Sequence, residues 1–153
     1  MHETEALHIR RLTAEDLEPL HRLLSDPAVK RYLEPPFTRA QTEAFLQKAG
    51  MGREPLIWAV EDGRGFAGYV IYHPYDETSM ELGWVLASDR WGRGYALALT
   101  RQMICRARES GRDAVIECHP QQAATRHIAE KLGFRPCGMD GGCCVYRLAG
   151  KNE

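Results

Sequence analysis

The stretch Ser79-Met80-Glu81-Leu82-Gly83-Trp84-Val85-Leu86-Ala87-Ser88-Asp89-Arg90-Trp91-Gly92-Arg93-Gly94-Tyr95-Ala96 decides the fold of this chain. Ser79 to Leu86 is mostly apolar, short and free of proline, which reads as a strand. After Arg90-Trp91-Gly92-Arg93-Gly94 a helical pattern runs to about Ser110, where Gly111 ends it. Ala96, Leu99, Thr100, Met103 and Ala107 line one face of that helix. Ala114 to Cys118 is a short β-branched strand ended by Pro120. Strand, long helix and strand in this order form a crossover, and such a crossover is right-handed and parallel.

Outward from it, the other segments are short and favour antiparallel neighbours. Leu7 to Leu12 reads as a first strand, followed by a helix with Leu17, Leu20 and Leu24 as its buried stripe. Thr13-Ala14-Glu15-Asp16 has the form of a capping box, but Asp16 as the N-cap puts Pro19 in the first turn, where its missing N–H costs nothing. Thr38 followed by Gln41 opens a second helix toward Gly50. Leu56–Glu61 and Phe66–His73 form a hairpin through Asp62-Gly63-Arg64-Gly65. Ala123–Leu132 is helical, and Phe134–Met139 with Cys143–Leu148 make a last pair of strands. The order β-α-α-β-β-β-α-β-α-β-β predicts an α/β (α+β) domain with a mixed, mostly antiparallel central sheet flanked by four helices.

Composition bounds the function. The 153 residues are 44% hydrophobic and 27% charged, which suits one domain spanning 1–153; a chain of this size buries roughly 70% of its unfolded surface without staples. Twenty basic against 21 acidic residues give a net charge of −1, no basis for binding nucleic acid through its phosphates. No apolar run approaches the roughly 20 residues that span a bilayer. The polar, acidic start Met1-His2-Glu3-Thr4-Glu5 is unlike a signal peptide, so the expected compartment is the cytoplasm. The five cysteines, at 105, 118, 137, 143 and 144, contain no C-x-x-C pair, and His119 and His127 lack ligand spacing, so no metal is expected. They read as reduced structural thiols.

Trp91 to Ala96 carries the first chemical signal. Glycines let a backbone approach a ligand closely and turn N–H groups toward an anion, and the following helix start adds partial positive charge. Such a loop favours a pyrophosphate. It is neither a dinucleotide fingerprint, since Leu97 stands where the third glycine belongs, nor a Walker A loop, which needs Gly-Lys-Ser/Thr.

Downstream, Ile116-Glu117-Cys118-His119-Pro120-Gln121-Gln122-Ala123-Ala124-Thr125-Arg126 passes from strand to helix, and Glu130-Lys131-Leu132-Gly133-Phe134 follows. With these segments the sequence resembles the GNAT family of N-acetyltransferases, and within it the RimJ/RimL-like branch, which acetylates N-terminal amines of ribosomal proteins and has relatives acting on small amines. Ile9-Arg10-Arg11-Leu12-Thr13 matches that branch's opening, Asp26-Pro27 its first-helix end, Gly68-Tyr69-Val70 its third strand and Glu81-Leu82-Gly83-Trp84 its fourth. The resemblance covers nearly the whole chain. It implies the GNAT fold, with splayed fourth and fifth strands and acetyl-CoA, the acyl donor, lying between them. Trp84, Val85 and Leu86 then fall at main-chain contacts to the pantetheine arm and thioester. Trp91, Gly92, Arg93, Gly94, Tyr95 and Ala96 fall at the pyrophosphate loop. Gln122 stands where the family usually has Asn, and Thr125 replaces the usual Ser.

The implied reaction is direct attack of a primary amine on acetyl-CoA in a ternary complex. An alkylamine with a pKa of about 10 is mostly protonated at neutral pH, so a base must take its proton. Glu117 matches a position where some relatives place that base, and Glu81 on the fourth strand is its rival. For the proton donor to the leaving thiol, several branches use a Tyr where this chain has Ala129; Thr125 and Tyr146 are the remaining candidates. A thiol of pKa roughly 8.5 also leaves unaided as thiolate. Cys118 and Cys144 lack a visible His/Asp partner, which argues against a covalent route. The acceptor is a peptide N-terminus or a small-molecule amine. Asp76, Glu77 and Glu81 suit a cationic one. The short Gly138–Gly142 hairpin either opens the acceptor side or leaves it to a second subunit, as in a homodimer. The other reading is a catalytically idle acyl-CoA-binding or sensing domain of the same fold.

Overall fold

The computed structural model describes residues 6–31 and 35–150; the Met1–Glu5 start lies outside the described residues. The central crossover has the predicted form. Strand β4 (Ser79–Leu86) leads through helix α3 (Tyr95–Glu109) to β5 (Asp113–Cys118), and the strands pair in parallel from Ser79↔Asp113 to Glu81↔Val115. Such a short ladder between an eight-residue and a six-residue strand fits the splayed pair the sequence implied. Around it lie β1 (His8–Arg10), α1 (Leu17–Leu24), α2 (Arg39–Phe45), β2 (Ile57–Asp62), β3 (Gly65–Asp76), α4 (Ala123–Lys131), β6 (Arg135–Asp140) and β7 (Cys143–Leu148). The sheet order is β1-β2-β3-β4-β5-β7-β6, and the pairs β1–β2, β2–β3, β5–β7 and β6–β7 are antiparallel.

The chain groups into two compact units, one of Met1–Ile71 with Trp84–Tyr95 and one of Tyr72–Gly83 with Ala96–Glu153. The first has an aliphatic core: Leu12, Leu20, Leu23, Leu24, Leu46, Ala49, Ile57, Ala59 and Tyr69 are buried together. Burying each leucine fully is worth about 1.5–3 kcal/mol, which makes α1 and the sheet mutually dependent. Helix α2 starts on the predicted reciprocal cap: Gln41 N–H donates to Thr38 Oγ1 (3.1 Å) and Thr38 N–H to Gln41 Oε1 (2.8 Å). Its last residues widen into an i→i+5 turn, in which Met51 N–H donates to the Leu46 carbonyl. Gly68 is required where β3 meets β4, because its φ is +145° and an added Cβ would lie 2.2 Å from the Val85 carbonyl oxygen.

In the second unit α3 buries Leu99, Thr100, Met103, Ile104 and Ala107, and β5 buries Ala114, Val115, Ile116 and Cys118. The unbroken apolar run Ala114–Ile116 is what a strand covered on both faces requires.

Several boundaries depart from the sequence reading. The first strand is only His8–Arg10. Asp16 is the N-cap residue of α1, as read, but its side chain caps no α1 N–H: a single 3₁₀ turn, Ala14–Asp16, precedes the helix, and Asp16 accepts from the Thr13 N–H at 2.8 Å. Pro19 still falls in the first turn of α1. Strand β3 also runs past the predicted end at His73 to take in Pro74, Tyr75 and Asp76. The turn is confined to Glu77 and Thr78, closed by the Thr78 N–H donating to Asp76 Oδ1 (2.9 Å).

Candidate active site

The Trp91–Gly94 segment is exposed, and Gly92 and Gly94 adopt left-handed φ angles of +75° and +79°. An added Cβ at either glycine meets nothing within 4 Å, so conformation, not crowding, selects glycine there. Both ends of the segment are fixed to one carboxylate. Asp62, at the end of β2, accepts from Arg90 Nε (2.9 Å) and from the Tyr95 hydroxyl (2.8 Å) through Oδ2, and from Arg90 Nη2 (3.1 Å) and Arg64 N–H (2.9 Å) through Oδ1. The Asp62 side chain is wholly shielded and that of Arg90 nearly so. Arg90 and the other donors hold the Asp62 carboxyl well below the usual carboxylate range against the opposing effect of burial. Removing one partner of such a buried pair costs about 3–5 kcal/mol. Trp91 is about half exposed, yet its indole N–H donates to the Leu86 carbonyl at 2.9 Å. Trp84 and Val85 are half-buried on β4 and Leu86 is buried. Such a segment presents backbone N–H groups ahead of a 15-residue helix and fits a phosphate-bearing ligand. Asp62 and Arg90 were missed as site residues because Asp62 also satisfies a turn pattern.

In the second unit a different cluster forms. Glu81 is in register with Val115, and Glu117 lies two residues farther on, so both carboxylates share one face of the sheet. His73 and Tyr75 are likewise two apart on β3. The Tyr75 hydroxyl donates to Glu117 Oε2 at 2.6 Å, which pushes the Tyr75 phenol up to about 12. His73 Nε2 lies 3.7 Å from Glu81 Oε1. His73 Nδ1 is 2.9 Å from the Pro74 carbonyl, which only accepts, so Nδ1 carries a proton and Nε2 faces Glu81. Burial raises the Glu81 carboxyl, the Glu117 charge adds to that, and His73 opposes it. Glu81 is therefore the carboxylate poised toward protonation. Tyr75 lies beyond the predicted strand end at His73, although the two-residue alternation of a strand continues to it.

Other expected residues are placed less centrally. Asp76 is committed to structure: it accepts from Thr78 N–H, from Ser79 Oγ at 2.7 Å and from Arg147 Nη1 at 3.2 Å. Gln122 Oε1 accepts from the His119 N–H at 2.8 Å, so its side chain closes the turn before α4. Thr125 is half-buried on the first turn of α4. Ala129 is fully buried, so this position presents no group outward. The Tyr146 hydroxyl is buried between Arg126 Nε (3.2 Å) and Glu130 Oε2 (3.3 Å). Burial, with Cys144 and Cys143 nearby, pushes the Cys118 thiol up to about 11, the opposite of an activated nucleophile. Among the described residues no group of three or more His, Cys, Asp or Glu is placed to hold a metal ion, and no helix is long and apolar enough to cross a membrane.

Comparison with known proteins bears on the family and the fold. The family model described as "Acetyltransferase (GNAT) domain" matches residues 6–135. A Bacillus subtilis relative, the uncharacterized N-acetyltransferase YnaD, is 26% identical over 145 residues, covering 92% of this chain and 85% of its own. Among solved structures, a GNAT-family acetyltransferase of Bacillus anthracis superposes with a TM-score of 0.80 at 24% identity over 97% of both chains. The Vibrio cholerae spermidine N-acetyltransferase in complex with CoA and spermine gives 0.75 at 22% identity over 93% of both. The glycine-bearing segment ahead of α3, the parallel β4–β5 pair and the matched family model converge on one conclusion: this chain is an acyltransferase belonging to the GNAT family.

Proposed function

We propose that this chain transfers the acetyl group of acetyl-CoA to a primary amine on a small or flexible cationic acceptor, with Glu81 taking the amine's proton. The observation that carries the reading is the half-buried Glu81, raised by burial, sharing a face with Glu117 and facing His73. A general base works best with a pKa moved toward the operating pH, and burial moves Glu81 in that direction. Glu117, engaged by Tyr75, serves as the fixed negative charge that attracts the ammonium form. Glu117 was the leading base in sequence; the Tyr75 hydroxyl on its Oε2 is the reason to move that role to Glu81.

In this reading the amine gives its proton to Glu81, and its lone pair forms a C–N bond to the thioester carbonyl carbon. A β4 backbone N–H stabilises the resulting oxyanion, the C–S bond then breaks with CoA leaving as thiolate, and the second proton of the former ammonium passes from the amide nitrogen to solvent. Its bond to Glu117 makes Tyr75 a poor donor to that thiolate, so Thr125 and Tyr146 stay the candidate proton donors. The pyrophosphate rests on Gly92–Ala96, with Trp91 and exposed Arg93 beside it. The pantetheine arm follows the backbone of Trp84, Val85 and Leu86. The spermine bound by the Vibrio cholerae relative is a polyamine, the acceptor class that paired carboxylates suit. The RimJ/RimL-like motifs keep a peptide N-terminus in the test.

The experiment is a panel of polyamines, small monoamines and peptides with free N-termini at saturating acetyl-CoA, read by mass spectrometry. Acetylated amine, with polyamines ahead of neutral-tailed monoamines, is expected. Products only on alcohols or thiols would overturn the assignment, and CoA binding with no product would identify an idle acyl-CoA-binding domain.

A further inference from the structure

Arg90 and Tyr95 stand on either side of the Trp91–Gly94 segment, and one buried carboxylate binds both. The segment itself has little else to hold it on the glycine side, since neither Gly92 nor Gly94 has an atom within 4 Å of a would-be Cβ. Its order is thus imposed from its ends. Arg90 N–H donates to the Ala87 carbonyl and its guanidinium to Asp62 and Asp89, so its donors are committed to protein. Arg93, by contrast, is exposed.

We infer that Asp62 is a positioning residue for acyl-CoA binding: it fixes the spacing of Arg90 and Tyr95 and so presets the left-handed Gly92–Gly94 turn for the pyrophosphate. The inference rests on the proposed reading of that turn as the pyrophosphate loop. It makes a counter-intuitive prediction about sign. Asp62→Asn removes a negative charge close to an anion site, which by Coulomb attraction alone strengthens CoA binding. A positioning role weakens it instead, because the turn must then be ordered at the expense of binding.

The test compares wild type, Asp62→Asn and Tyr95→Phe, using CoA in calorimetry, acetyl-CoA in steady-state kinetics and trypsin cleavage after Arg93. Tyr95→Phe keeps the ring, the Arg90–Asp62 pair and all formal charges, so it remains informative where Asp62→Asn fails to fold. The expected results are a loss of CoA affinity of about tenfold in the folded variants, a matching rise in KM for acetyl-CoA and kcat within about twofold. Cleavage after Arg93 should accelerate relative to cuts elsewhere in the chain. A general loss of stability would accelerate all cuts alike. Wild-type or tighter CoA binding in folded variants, with unchanged cleavage after Arg93, overturns the inference while leaving the loop assignment intact. Absence of CoA binding by the wild-type chain overturns both.

Discussion

The Trp91–Gly94 turn and the His73–Tyr75–Glu81–Glu117 cluster reach their order by opposite routes. The turn is exposed, built from two left-handed glycines, and stabilised from outside by Asp62, Arg90 and Tyr95. Under the proposed function its recognition groups are backbone N–H groups, which every residue but proline supplies. The cluster is made of side chains on three strands, set by register and partly buried, and its chemistry depends on the identity of each residue. A backbone site tolerates change in side chains and is sensitive to conformation. A side-chain site on rigid strands has the reverse sensitivities.

That contrast predicts where substitutions act. The largest kinetic effect belongs to Glu81→Gln, which keeps size and loses the base; kcat should fall about 10²–10⁴-fold with CoA affinity unchanged. Because burial raises the Glu81 carboxyl, the wild-type rate should fall as pH drops through that raised value, where the base becomes protonated, and Glu81→Gln should lose this acidic limb. Normal turnover in Glu81→Gln with a collapse in Glu117→Gln would return the base role to Glu117. A smaller effect is expected for Tyr75→Phe, which removes only the hydroxyl donated to Glu117. One such bond is worth about 1 kcal/mol, so kcat/KM for a polyamine should drop about threefold to tenfold while KM for acetyl-CoA stays put. A shift in acetyl-CoA KM instead would show that the cluster and the turn are not separable.

The same contrast explains what the sequence disclosed. Glycine spacing, the strand before it and the helix after it are local signals, so the crossover, the parallel pair and the glycine turn ahead of α3 were legible directly. The reciprocal Thr38–Gln41 cap was legible for the same reason. Asp62 was not, because its partners lie 28 and 33 positions away and Asp-Gly-Arg-Gly satisfies a turn by itself. Tyr75 was hidden by Pro74, which suggests the end of a strand; here β3 continues through it to Asp76. The burial that raises Glu81 arises from tertiary packing, and no sequence pattern encodes it.

The most direct test of the central claim, that Gly92–Ala96 receives the acyl-CoA pyrophosphate, is calorimetric titration of CoA into Gly94→Asp beside Gly94→Asn. Asp and Asn have nearly the same size and both tolerate a left-handed φ, which the +79° at Gly94 demands. They differ in charge alone. The account predicts two folded proteins in which Asp binds CoA about a hundredfold more weakly than Asn, since like charges in direct opposition cost several kcal/mol. Equal CoA affinity in the two folded variants, at the wild-type level, would contradict it.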